Sequence, residues 1–302
     1  MAQYVLVEYM KKKQSKYLND WLNEIDTLPS EQKENLLEFI SFTGKLISNE
    51  DQKKTLDQIT EAKKLAEYAE EDLKSATQNY ENKSFRKSLV DIAEAVEKTV
   101  KAYCLATGLI EASDLKSKIS HETPRAFVEM AQKKVVQPII YIFKKKFPDM
   151  KTNIKEFETT IKDKKIDYAT ASDKNVAQLL KICIKINDSF LGKEKTLNKE
   201  ISEFINSCKD ELSEAEYNKL KIFEKRFSIK LCSSFVILFL LSVLAYPHFD
   251  LGRYPNKKPV QIERYEDLGI VKNEKKLLEL VKYTIDSIKE SSFFENPEKN
   301  QK

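Results

Sequence analysis

AKKLAEYAEEDLKSATQNYENKSFRKSLVDIAEAVEKTVKAYCLATG, residues 62–108, is the stretch whose reading decides the fold. Ala62, Ala66, Ala69, Leu73 and Ala76 recur at steps of three and four, so they share one face and predict a helix that also carries Asp72. Asn79 to Ser84 has the polar residues of a turn, and Leu89 to Thr107 predicts a second helix with the seam Leu89, Ala93, Val96, Val100 and Tyr103. Small alanines let two backbones approach closely, so the pair is expected as an antiparallel hairpin. Gly108 suits the left-handed position that closes a helix, with Leu109 folding back as its apolar contact.

Working outward, the 302 residues include only five glycines and eight prolines, while 33% are charged. That is the composition of helices rather than of short strands with tight turns. The chain is read as all-α: an antiparallel helical bundle with additional N- and C-terminal helices. Its length buries a substantial core without a metal or disulfide staple. With 52 basic and 48 acidic residues the net charge is +4, so no global field argues for nucleic acid. The runs Lys11-Lys12-Lys13, Lys144-Lys145-Lys146 and Lys162, Lys164, Lys165 read as solvated faces. Cys104, Cys183, Cys208 and Cys232 lie far apart with no C-x-x-C spacing, so no metal site is expected and they read as reduced core thiols. No basic start followed by a long apolar run opens the chain, and a cytoplasmic location is expected.

Four regions follow. Residues 1–55 form an N-terminal helical extension, 56–148 the bundle core, 149–294 a C-terminal helical region packing on it, and 295–302 a disordered polar tail. Within the core, Thr123-Pro124 is a start signal for a helix that bends near Pro138. Further on, Ile154, Phe157 and Ile161, then Val176, Leu179, Leu180 and Cys183, then Leu197, Ile201, Phe204, Ile205 and Cys208 form apolar stripes. Ser213-Glu214-Ala215-Glu216 fits a capping box that opens a long helix reaching Tyr246 and ended by Pro247.

Leu231 to Phe249 contains no Lys, Arg, Asp or Glu. From Leu231 to Pro247 there are about 16 residues, roughly 24 Å of helix against the roughly 30 Å of a bilayer core. This favours a buried central helix; membrane association through 231–246 is the alternative.

The two histidines are each expected in a polar loop beside an arginine: His121 with Lys116 and Arg125, and His248 with Arg253. Metal-independent RNA cleavage needs a base for the ribose 2′-hydroxyl and a cation for the phosphate, and these pairs supply both. His121, His248 and Arg253 are therefore the candidate catalytic residues, with Lys116 and Arg125 as candidate phosphate contacts. The competing reading is that each histidine caps a helix or braces a loop. Gly-rich phosphate loops, H-E-x-x-H and G-x-S-x-G are absent, and no cofactor is expected.

The alanine spacing, the Glu97-Lys98-Thr99-Val100-Lys101-Ala102-Tyr103 run and the Ile119-Ser120-His121 loop resemble the HEPN domain, in particular its abortive-infection AbiV branch and archaeal HEPN-like proteins. The second of these likenesses rests on His248 near Arg253-Tyr254-Pro255. The resemblance implies a toxin- or abortive-infection-type module that binds RNA or a neighbour-encoded protein and forms a homodimer. Active HEPN ribonucleases carry Arg-x4–6-His, which this chain lacks; Lys116 stands nearest to that place, five residues before His121. Lysine is a flexible point charge without the bidentate fork of arginine. The resemblance therefore leaves two roles open: a metal-independent endoribonuclease and a non-catalytic interaction module.

Overall fold

The computed structural model describes residues 52–107, 169–192, 194–207, 229–253 and 264–290, with isolated positions at 30, 209, 213–214, 217–218, 221 and 262. Among the described residues every regular element is helical: α1 (Gln52–Glu81), α2 (Phe85–Thr107), α3 (Asp173–Gly192), α4 (Glu194–Ser207), α5 (Ile229–Arg253), a 3-10 turn (Tyr265–Asp267), α6 (Gly269–Lys272) and α7 (Glu274–Lys289). The protein is an all-α bundle, as its composition predicts.

α1 and α2 form the expected hairpin, with Ala62, Ala66, Ala69, Leu73 and Ala76 buried against Leu89, Ala93, Val96, Val100 and Tyr103. The turn starts three residues later than the polar run suggests, because α1 continues to Glu81. Its end explains why. Lys83 N–H donates to the Tyr80 carbonyl at 2.9 Å and Ser84 N–H to the Asn79 carbonyl at 2.8 Å, the paired bonds of a Schellman motif that uses Asn79 and Tyr80 as helical acceptors. Lys83 occupies the left-handed position of that motif, with φ 57°. α1 starts at Gln52.

α5 is the central helix. It packs on α2, α3, α7 and α4, and Ile237, Leu238, Phe239, Leu240, Leu241 and Leu244 are all buried. The Phe235 ring lies 5.9 Å from that of Tyr103. Its serines are accommodated locally: Ser242 donates to the Leu238 carbonyl at 2.7 Å, and Ser233 shares a 3.1 Å bond with the Tyr283 hydroxyl. A helix covered by neighbours on all sides is apolar all round without a bilayer. Among the described residues no helix is long and apolar enough to cross a membrane.

The helix does not stop at Pro247. It continues to Arg253 with the proline inside it. Proline removes only the one bond to the carbonyl four residues earlier, and flanking packing of Ala245, Phe249 and Leu251 holds the last turns.

α3 contributes Val176, Leu179, Leu180 and Cys183, and α7 contributes Leu277, Val281, Ile285 and Ile288, so chain segments far apart in sequence share one core with the hairpin. α6 makes the corner between them. The Gly269 backbone abuts Ala171, Ser172 and Asp173 so closely that a Cβ there would overlap their main-chain atoms. Asn273, next in the chain after α6, donates to Asp173 at 2.6 Å and to the Gly269 carbonyl at 2.9 Å. The helix expected after Thr123-Pro124, the bend at Pro138, the Gly108 cap, the stripe from Ile154 and the tail at 295–302 lie outside the described residues, as do the side chains of Leu197, Ile201, Phe204, Ile205 and Cys208.

Candidate functional site

Lys98 clasps the hairpin from α2 to α1, while its neighbour Glu97 is held within α2. Lys98 pairs with Asp72 of α1 and reaches Glu94 at 3.8 Å, while Lys101 bonds Glu97 at 2.6 Å. One turn along, Asp91 accepts from Ser75 at 2.6 Å and from Asn79 at 2.7 Å. Burial raises the Asp72 carboxyl above its ordinary value, an effect that Lys98 opposes and the nearby Glu94 and Asp91 reinforce. Asp72 and Asp91 are occupied by donors from the facing helix, and Glu94 and Glu97 by lysines of their own helix. Among the described residues no group of three His, Cys, Asp or Glu side chains could hold a metal ion. The chemistry of this seam is structural: it fixes the register of α1 on α2.

Of the residues selected from sequence, His121, Lys116 and Arg125 lie outside the described residues. His248 does not stand in a polar loop. It sits within α5 and is 1% exposed. Arg253 ends the same helix, and its side chain is outside the described residues. Five residues along a helix rotate the direction by roughly 140° and rise about 7.5 Å, so these two positions do not share a helical face. The expected loop pair is replaced by a buried helix because Pro247 does not terminate α5.

A second polar centre escaped the sequence reading. Glu274, the first residue of α7, is 0% exposed, and neither carboxylate oxygen meets a hydrogen-bond donor of suitable geometry. Burial lifts its carboxyl from the usual 4.5 to about 7, while the neighbouring Ser88 hydroxyl acts in the opposite direction. That opposition is weak for a geometric reason: Ser88 has one proton, and it goes to the Ala76 carbonyl at 2.7 Å. Ser88 can offer a lone pair to a protonated Glu274, which favours the neutral acid. From sequence, an acid in the first turn of a helix is an ordinary partner of the helix dipole, and nothing local marks it for burial.

The thiols of Cys104 and Cys183 are free and buried, and burial pushes both well above the ordinary thiol range. Cys183 donates to the Leu179 carbonyl at 3.0 Å. Both are core side chains, as their spacing suggests; the side chain of Cys232 lies outside the described residues.

Comparison with known families places this geometry in a class. The model described as the HEPN domain matches residues 62–125, from the first buried alanine of α1 through His121 to Arg125. Residues 62–125 are therefore similar to a HEPN domain. No curated protein and no solved structure matches the chain.

Proposed function

We propose that the chain is a cytoplasmic, homodimeric HEPN-type module of toxin or abortive-infection kind that engages RNA and cleaves it without a metal. The observation that carries this reading is the family match, which spans the hairpin and extends through Lys116, His121 and Arg125. In this reading His121 takes the proton of the ribose 2′-hydroxyl, and Lys116 or Arg125 stabilises the charge that develops on the attacked phosphate. A dimer would bring two such sets together. His248, enclosed in α5, is assigned no contact with RNA, and Arg253 is left as an auxiliary cation at the end of that helix.

The lack of an Arg-x4–6-His motif favours a second reading, a non-catalytic module that holds RNA or a neighbour-encoded protein. Incubating purified protein with RNA in excess chelator separates the two. Cleavage that falls by about 100-fold or more in His121→Ala supports the enzyme. A stable RNA complex with no cleavage supports the binding module, and undiminished cleavage in His121→Ala removes the assignment of the base.

A further inference from the structure

Four chain segments meet at one end of the bundle: the α1–α2 turn, the start of α2, the start of α3 and the α6–α7 corner. Three contacts establish this. Asn273 is bonded to Asp173, Glu274 faces Ser88, and Arg86 acts electrostatically on Tyr265 of the 3-10 turn. The surface they share is basic. Lys83, Lys87, Lys174, Lys272, Lys275 and Lys276 are all exposed there, and among the described residues none of the six has an ion pair.

Lysines on the sides of the bundle are mixed: Lys74, Lys98, Lys101, Lys282 and Lys289 each face a carboxylate, while exposed Lys64, Lys181 and Lys185 form no ion pair among the described residues. At the basic end cations outnumber acids: the six lysines with Arg86 and Arg264 stand among exposed Glu81, Asp173, Glu266 and Asp267. Asp173 takes the Asn273 amide, Glu266 and Asp267 lie 3.1 and 3.5 Å from Arg264, and Glu274 is turned into the core. Exposed Glu81 is the remaining acid of the α1–α2 turn. The chain-wide balance of +4 hides this local excess, because it sums acids and bases over the whole chain.

We infer that this end of the bundle is a docking surface for the phosphate backbone of single-stranded RNA, separate from the segment that carries His121. The inference rests on the RNA reading above and adds where the strand is held. Unpaired lysines on four converging segments form a broad cationic face rather than a pocket. Such a face takes up a polyanion by releasing its counterions and reads no base sequence.

The test uses the full chain and an about 20-nucleotide 2′-O-methyl RNA, which lacks the nucleophile for cleavage, in fluorescence anisotropy titrations at about 50 to 200 mM salt. Replacing Lys272, Lys275 and Lys276 together by Gln should weaken binding at least ten-fold. It should also reduce the slope of log K against log salt by about 2, near 0.7 per lost phosphate contact. Lys282→Gln with Lys289→Gln should leave both unchanged. If the triple variant has lost helical circular dichroism, Lys83→Gln with Lys87→Gln, at the hairpin turn and the start of α2, takes its place, with an expected slope change of about 1.4. RNA binding by the unaltered protein with the same affinity and slope in these variants overturns the docking surface and leaves the RNA reading intact. No RNA binding by the unaltered protein overturns both, whether or not the same lysines then bind anionic vesicles or an acidic peptide.

Discussion

Substituting Glu274 by Gln should make the protein more stable at neutral pH and leave it unchanged in acid. The carboxyl rises from 4.5 to about 7 on folding, a shift of roughly 2.5 units or about 3 kcal/mol at 1.36 kcal/mol per unit. A raised carboxyl reverses the usual direction of acid denaturation. Below pH 4.5 the group is protonated in both states and contributes nothing to the balance. Between 4.5 and about 7 the unfolded chain releases the proton while the folded chain holds it, so stability falls as pH rises. Above about 7 the folded chain carries a buried carboxylate and the full penalty of about 3 kcal/mol remains.

Glutamine keeps the shape and removes the titration. Urea unfolding followed by circular dichroism, at steps from about pH 4 to pH 8, gives the difference in stability between variant and parent, in which the other titrating groups cancel. That difference should grow by about 3 kcal/mol between acid and neutral pH. A constant gap across the whole range would refute the buried, proton-bearing Glu274.

Three further outcomes follow from the packing. Gly269→Ala should destabilise the protein by about 3 kcal/mol, read from the urea midpoint, because the added methyl overlaps the main chain of Ala171 to Asp173; a neutral result would mean that α6 can slide off α3. Lys83→Gly should raise stability by about 1 kcal/mol in thermal unfolding by relieving the left-handed backbone, and a loss would reveal a contact made by the lysine side chain. A double-mutant cycle between Asp72→Asn and Lys98→Met should return a coupling of about 1 kcal/mol, since both side chains are partly screened by solvent. Zero coupling would show that the clasp does not set the hairpin register.

The hairpin was legible because its signal is local. Alanines at steps of three and four can only face one way, and every one of them is buried. The stripe from Val176 to Cys183 was legible for the same reason. Features decided by distant neighbours were not. Pro247 reads as a stop when the helix is considered alone, yet surrounding helices carry α5 through it, and His248 moves from an expected loop into the interior. Glu274 shows the same limit, because its environment is set by Ser88 on α2 and not by its own turn of helix. The basic end was hidden too. Lys272, Lys275 and Lys276 form one short run, but only folding brings Lys83, Lys87 and Lys174 beside it.

The closure of the hairpin by α5 and α7 also bears on how the chain is made. α1 and α2 can pair as soon as they leave the ribosome, since a hairpin joined by a three-residue turn closes a short loop. The helices that cover their remaining apolar face are synthesised much later: Glu274 meets Ser88 across about 190 residues. At roughly 5–20 residues per second, that interval lasts about ten seconds or more. Throughout it the nascent hairpin presents Tyr103 and Ser88 without the Phe235 ring and the Glu274 side chain that meet them in the finished fold, and so it is then that a holding chaperone, or a second nascent copy, has its best access to the protein.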